Sequence, residues 1–432
     1  MRPAALFLAL VVASCTGTTS DDSATTTAVA TTTTSTPSTT TTFPATTTTT
    51  LAPVTVSGLV ADPSGSPVEG AMIEAAGDSA TTGEDGVFEL EISRPGTVTI
   101  TRPGWTTTQI EWKADSDFVE VALAPLTVRG LRVGAGAAAD DAFFSRLLDL
   151  ARESAVNAFV FDTKQEGGVV VYDTRVDAAH EIGAVDVWYD PVQRVERAKS
   201  EGLYTITRIV TFEDSARVRA RPEEKLAGRW LDPRSESARA YNISLAVEAC
   251  ELGFDEIQFD YVRFPSGRTA SVSGQLDLTQ EERVAAIEGF LAEARAALRP
   301  LGCAVSADIF GIVVSTENDQ GLGQRPEELS RQLDAVSPMV YPSHYSPGWL
   351  GFADPNDHPY DVTADAIDDA LPRLEDGSVL RPWLQAFWWT NSQIRSAIQA
   401  AEDRGVGWIL WNVSSNFDLE AIPTDEELAS AD

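Results

Sequence analysis

Residues 253–265 read Gly253-Phe254-Asp255-Glu256-Ile257-Gln258-Phe259-Asp260-Tyr261-Val262-Arg263-Phe264-Pro265, a short apolar strand that runs into polar and aromatic side chains. In a strand, alternate residues face opposite sides. Ile257 and Phe259 suit a helix-facing side, which points Gln258 and Asp260 the other way. The same rhythm of strand then amphipathic helix recurs from Pro125 onward. Strands are expected at 127–133, 157–162, 203–210, 254–260, 303–308, 336–341, 382–388 and 406–411. Helices are expected near 141–154, 191–201, 235–251, 280–298, 326–334, 363–374 and 391–404. Regular β/α alternation with eight strands predicts an α/β fold, a closed (β/α)8 TIM barrel over residues 126–416. A doubly wound open sheet is the other arrangement. Its dinucleotide fingerprint is missing, because Gly134-Ala135-Gly136 lacks the third glycine and the downstream acid. No cofactor is expected.

Barrel chemistry gathers at the C-terminal strand ends. Strand two ends in Phe161-Asp162-Thr163-Lys164, strand three in Thr207-Arg208, and strand five in Ser306-Ala307-Asp308. Strand six runs through Tyr341-Pro342-Ser343-His344. Strand seven ends in Gln385-Ala386-Phe387-Trp388-Trp389, and strand eight in Trp411-Asn412. Alternation places Ser306 and Asp308 inside, and puts Val160, Asp162 and Lys164 on one face. Asp260 and Asp308 then stand at one level of one pocket. A buried carboxylate is costly unless paired or used, and Arg208 and Arg263 are the expected cationic neighbours.

These residues resemble the bacterial "putative glycosyl hydrolase domain" family, which is related to the α-amylase-like barrels. The hallmark is 253–265. Supporting pieces are Asn157 to Lys164, Ser306-Ala307-Asp308-Ile309-Phe310-Gly311, Ser337 to Tyr345 and Gly407-Trp408-Ile409-Leu410-Trp411-Asn412. The resemblance spans nearly all of 127–412 and implies a TIM barrel that acts on or binds a glycan. It matches Asp260 to the α-amylase-like nucleophile. The chain departs from that pattern in carrying Asp308 where those enzymes carry Glu. It also has Gln385 and Trp388 where a third acid would end strand seven.

Glycoside hydrolysis typically uses two carboxyl groups. The expected catalytic residues are Asp260 as nucleophile and Asp308 as acid, with Asp162 and Lys164 as a reserve pair. Asp162, Lys164, Arg208, Arg263, Tyr341, His344, Gln385, Trp388, Trp411 and Asn412 are the expected substrate contacts. Eight of the ten tryptophans lie in the barrel region, and sugar C–H faces stack on such rings. The rival reading is a glycan-binding or adhesion lipoprotein on a barrel that has lost hydrolysis.

Upstream, Met1-Arg2-Pro3 and the apolar run Ala4 to Ala13 read as a signal peptide, too short to span a bilayer. Val12-Ala13-Ser14-Cys15 resembles the bacterial lipobox. It implies lipid on Cys15, removal of residues 1–14, and an exported protein anchored to the outer face of the cell membrane. An ordinary signal peptide with a chance cysteine is the alternative. Residues 15–53 are mostly Thr and Ser with little apolar content, which reads as a disordered tether. Residues 54–125 show short alternating runs between Gly, Asp and Pro turns, the pattern of a small all-β sandwich. Ser57-Gly58-Leu59-Val60, Pro67-Val68-Glu69-Gly70-Ala71 and Thr82-Gly83-Glu84-Asp85-Gly86-Val87-Phe88 resemble the carboxypeptidase-regulatory-like domain. Residues 417–432 read as an acidic tail.

Thirty-two Lys and Arg against 65 Asp and Glu leave a formal charge of −33. Phosphate backbones need clustered cations, so nucleic acid is not an expected partner. Neutral or cationic glycans are expected in preference to polyanions. His180, His344 and His358 show no ligand spacing, so no metal is expected. Cys250 and Cys303 fall at the lower side of adjacent barrel units, where an extracellular location permits a disulfide; free thiols are the alternative.

Overall fold

The computed structural model describes residues 54–92, 96–112 and 118–430. The expectations for the signal segment, Cys15 and the tether lie outside the described residues. Two β-sheets come first, built from β1 (Val54–Ala61), β2 (Met72–Ala75), β3 (Asp78–Thr81), β4 (Val87–Ile92), β5 (Gly96–Thr101), β6 (Thr108–Trp112) and β7 (Phe118–Ala122). Their orders are β4-β1-β7 and β3-β2-β5-β6. Strict alternation in β4 buries Phe88, Leu90 and Ile92. These side chains meet Ile73, Ile100, Trp105 and Trp112 in one apolar cluster, so both tryptophans are core. Gly86 makes the turn into β4 with φ +71°, and a Cβ there would lie 2.5 Å from the Val60 carbonyl oxygen. No other residue fits that close approach.

The barrel follows. Its strands are β8 (Arg129–Val133), β9 (Ala158–Gln165), β10 (Tyr204–Val210), β11 (Glu256–Asp260), β12 (Ala304–Phe310), β13 (Ala335–Val340), β14 (Trp383–Gln385) and β15 (Trp408–Trp411). Each pairs in parallel with the next, and β8 pairs with both β15 and β9, which closes the ring. The main helices are α1 (Asp141–Arg152), α2 (Pro191–Ser200), α3 (Glu236–Glu251), α4 (Gln280–Leu298), α5 (Pro326–Leu329), α6 (Pro359–Ala370) and α7 (Asn391–Glu402). Local chemistry sets their starts. Asp190 caps α2 ahead of Pro191, and Thr279 with Glu282 forms a capping box on α4.

Alternation sorts two cores. Phe159, Phe161, Ile257, Phe259, Val305 and Ala307 face the helices, where Phe259 meets Phe290 of α4 edge-on at 5.0 Å. Val160, Ile206, Trp383 and Ile409 fill the interior. Below the mouth, Gln258 donates to Ser337 at 3.1 Å. Glu256 is held by Arg381 and Ser306.

Three elements differ from the sequence reading. The helix expected at 326–334 stops at Leu329 and tightens into a 3-10 turn. That expected at 363–374 starts four residues earlier, at Pro359, whose fixed φ suits the first helical position. Strand seven is only Trp383–Gln385, and Phe387 to Trp389 turn away from the sheet. Residues of the expected acidic tail also pack on the barrel, since Ala421 and Ile422 are buried in its main core.

The N-terminal sheets meet the barrel at the starts of its strands. Arg102 pairs with Asp334, just ahead of β13, at 2.9 Å. Arg299, between α4 and β12, pairs with Glu69. Cys250 of α3 and Cys303, preceding β12, form a disulfide across 53 residues at this same end. The opposite end of the barrel is left open.

Candidate active site

Asp260 ends β11 and Asp308 lies two residues before the end of the neighbouring β12, and the β11–β12 register pairs Phe259 with Ala307, one residue below both acids. Both point inward and both are buried, at 4% and 1% exposure. Asp260 Oδ2 accepts from Arg208 Nε at 2.8 Å and from Nη2 at 2.6 Å. Asp260 Oδ1 accepts from the Tyr261 backbone N–H at 2.6 Å. That last bond exists because Tyr261 takes a left-handed backbone, φ 49°, which costs an aromatic residue free energy and is tolerated where the surroundings fix it.

Asp308 has a different environment. Its Oδ1 accepts from Trp383 Nε1 at 2.6 Å. Burial pushes its pKa well above the ordinary carboxylate value, and the negative charge of Asp260 pushes it further. Arg208, the Trp383 bond and Arg381 oppose the shift without cancelling it. Two neighbouring acids in unequal settings divide into an anion and a proton carrier.

Arg208 is the hub. Fully buried, it bonds Asp260, Asp162 at 3.2 Å and Glu166 at 2.6 Å. Burial alone would favour its neutral form, but the three acids outweigh that and raise its pKa well above the usual value. For Glu166, burial acts against ionisation, yet the Arg208 guanidinium beside it leaves its pKa below the ordinary value. Arg132 holds Asp162 from the other side. The Trp411 ring carries both cations, with Arg132 4.4 Å and Arg208 4.9 Å from its centroid, and packs edge-on against Trp383 at 5.3 Å.

Above these residues opens a cavity of about 730 Å³. Arg208, Asp260, Asp308, Arg263, Tyr341, His344 and Trp411 all line it, as their strand-end positions suggested. Burial, then the charges of Asp308 and Asp260, keep the Tyr341 phenol protonated. His344 stands exposed at the rim, and the desolvation its neighbours impose lowers its pKa. Gly311 packs directly on the Met339 carbonyl. A Cβ at that position would stand 2.5 Å from the carbonyl oxygen, so any side chain there would push the wall apart.

Five expected contacts fall elsewhere. Asp162 lies beneath the cavity, fully buried between Arg132 and Arg208. Lys164 does not reach the mouth at all. A bulge skips Thr163 and pairs Lys164 with the helix-facing Ile209. The Lys164 ammonium is therefore sealed behind the sheet against Asp214 at 2.8 Å, Asn242 and the Val210 carbonyl, and the Asp162–Lys164 reserve pair is not formed. Gln385 is buried and spends its amide on Ser343, Asn356 and the Phe387 carbonyl. Trp388 and Asn412 line a separate groove. Arg263, though at the mouth, makes no ion pair among the described residues. It stacks 4.2 Å from the Phe310 ring and 4.6 Å from Trp230, and burial lowers its pKa to about 10.

The sequence reading missed Glu166, Trp383, Phe310 and Tyr261 as cavity residues. Trp383 was legible: it stands two residues before Gln385, on the same side of strand seven. Glu166 was not, because it lies beyond the expected end of strand two.

The family model described as "putative glycosyl hydrolase domain" matches residues 130–417, the whole barrel. The chain belongs to this family. No curated protein matches the chain. Among solved structures, a hypothetical protein from Ruminiclostridium thermocellum ATCC 27405 is 33% identical, covering 42% of this chain and 99% of its own, with TM-score 0.37. The PgaB (BpsB) glycoside hydrolase domain from Bordetella bronchiseptica is 12% identical, covering 67% of this chain and 95% of its own, with TM-score 0.49. TtGalA, an α-galactosidase from Thermus thermophilus, is 16% identical, covering 83% and 75%, with TM-score 0.43. The assignment of this glycoside hydrolase barrel rests on the family match.

Proposed function

We propose that the barrel cleaves a glycosidic bond with Asp260 as nucleophile and Asp308 as general acid. The observation that carries this reading is the pair's asymmetry: Asp260 is bonded twice by Arg208, while burial and that neighbouring charge hold the proton on Asp308. In the first step the Asp308 proton passes to the glycosidic oxygen as its bond to the anomeric carbon breaks. Asp260 attacks that carbon and forms a glycosyl ester. Water then attacks the ester, Asp308 takes its proton back, and the sugar leaves with Asp260 restored. The Trp383 N–H steadies Asp308 while it is an anion. Arg208 stays paired with Asp162 and Glu166 when the Asp260 charge is consumed.

Neighbouring parallel strands lie about 4.8 Å apart. Two carboxyl groups at one level of such strands suit the short separation of a retaining pair, roughly 5–5.5 Å, better than the roughly 6.5–9.5 Å of an inverting one. The test is release of reducing ends from a panel of polysaccharides. Wild-type turnover lost in both Asp260→Asn and Asp308→Asn supports the assignment; turnover that survives both removes it.

Binding without turnover is the second reading, favoured by the buried, fully bonded Gln385 where a third acid would stand. It predicts oligosaccharide binding with no reducing ends released. In either case the signal run and Cys15 support placement on the outer face of the membrane through a lipid. The −33 charge favours neutral or cationic chains over polyanions.

A further inference from the structure

Beside the mouth lies a second cavity, a groove of about 660 Å³ lined by Arg146, Phe387, Trp388, Asn391, Asn412 and Asn416 among others. Its character differs from the mouth, with amide and carboxylate groups around one free aromatic ring. Trp388 is 83% exposed, the most exposed large apolar side chain among the described residues. Its backbone is left-handed, φ 60°, a conformation that disfavours any residue other than glycine.

The residues on both sides show why the ring is not a loose surface group. Phe387 packs edge-on to Tyr341 at 5.5 Å and to Trp388 at 5.0 Å. Trp389 turns inward and donates from Nε1 to Asn356 at 2.9 Å. The chain is thus pinned before and after Trp388, and the left-handed turn is what sends this one ring outward. Both the strain and the forgone burial point to a use in the exposed position.

The groove and the mouth share a wall. Phe387 lines the groove and touches Tyr341 and His344, which line the mouth. On the next strand Trp411 lines the mouth and Asn412 the groove. Asn412 is committed to its own loop, accepting from the Ser414 N–H and donating to the Ala386 carbonyl. By contrast, the Asn416 side chain makes no hydrogen bond among the described residues, and the Arg146 guanidinium, though stacked 4.7 Å from the Phe143 ring, keeps its N–H groups for hydroxyl partners. A flat ring face, free amide and guanidinium donors and continuity with the cleavage pocket together describe a place for a pyranose ring.

We propose that this groove is a distal sugar-binding subsite, with Trp388 as its stacking platform. The substrate is then a polysaccharide chain long enough to lie across the mouth and over Phe387 into the groove. The proposal rests on the glycan reading of the mouth, and it adds chain length as the property the enzyme selects.

The test uses the full-length chain carrying Asp260→Asn, so that bound sugar is not turned over. The probes are cello-, chito-, malto- and galacto-oligosaccharides of two and of six sugars, and the readout is Kd by calorimetry. The expected result is tighter binding of six-sugar chains in at least one series. Adding Trp388→Ala lowers that length preference roughly five- to tenfold, and Trp388→Phe, which keeps a ring, retains most of it. A length preference untouched by Trp388→Ala overturns the subsite, even if wild-type protein hydrolyses the same sugars. A preference that Trp388→Ala removes supports it, even if wild-type protein hydrolyses none of them. No binding by any probe overturns it together with the glycan reading.

Discussion

Replacing Asp308 by Asn should make the protein more stable at neutral pH, and the gain should grow with pH. In the unfolded chain Asp308 ionises near its ordinary value of about 3.9. In the fold, burial and the Asp260 charge hold the proton on. Between the two pKa values the folded chain carries the extra proton, so wild-type stability falls as pH rises. The contribution is fully present below the unfolded value and is lost as pH climbs to the folded one. The slope is about 1.4 kcal/mol per pH unit inside that window. Asp308→Asn has no proton to lose, and its side-chain oxygen can still accept from Trp383 Nε1. Urea unfolding of both proteins from about pH 4 to about pH 8 gives the difference directly. It should start near zero, climb at that slope and level off at the folded pKa of Asp308. A flat difference would mean that Asp308 is not perturbed. A difference of opposite sign would mean that Asp308 is a paired structural anion, and the acid role would fall with it.

Arg208→Gln strands Asp162, Glu166 and Asp260 without their shared cation. Breaking such a buried network should cost about 3–5 kcal/mol; unfolding curves should show the loss shrinking at acid pH, and turnover should be lost as well. Reducing the Cys250–Cys303 bridge, or Cys303→Ser, should lower stability by about 4 kcal/mol on loop entropy for its 53-residue separation. Because the bridge sits at the far end of the barrel, kcat at room temperature should hold. Trp388→Gly relieves the left-handed backbone and should raise stability by about 1 kcal/mol while weakening binding of long chains, as read by melting and by Kd.

The barrel was legible because its strands are short apolar runs whose two faces differ. Ile257 and Phe259 went to the helices and Asp260 to the mouth, as period-two alternation requires. Alternation fails where the backbone departs from it. The bulge after Asp162 turned Lys164 to the wrong side of the sheet, and nothing in Asp162-Thr163-Lys164-Gln165 announces an unpaired residue. Strand seven ended at Gln385, so Trp388, expected as a substrate contact at the strand end, left the sheet on a left-handed turn. The Arg208 hub was half legible. Its pairing with Asp260 followed from neighbouring strands, whereas Glu166 lies in a connection whose path no local pattern sets. Arg263 illustrates a third limit: residue type suggested an ion pair, and the cavity supplied aromatic rings instead.

The roles of the two acids separate most cleanly with matched substrates that differ only in leaving group. General acid catalysis contributes about 10²–10⁴-fold, and mainly when the leaving oxygen is basic. On the sugar that wild-type protein cleaves, Asp308→Ala should lose that factor with a natural sugar leaving group and far less with a dinitrophenyl one. Asp260→Ala should lose turnover of both. Equal losses for the two leaving groups in Asp308→Ala, or turnover that survives Asp260→Ala, would contradict the assignment.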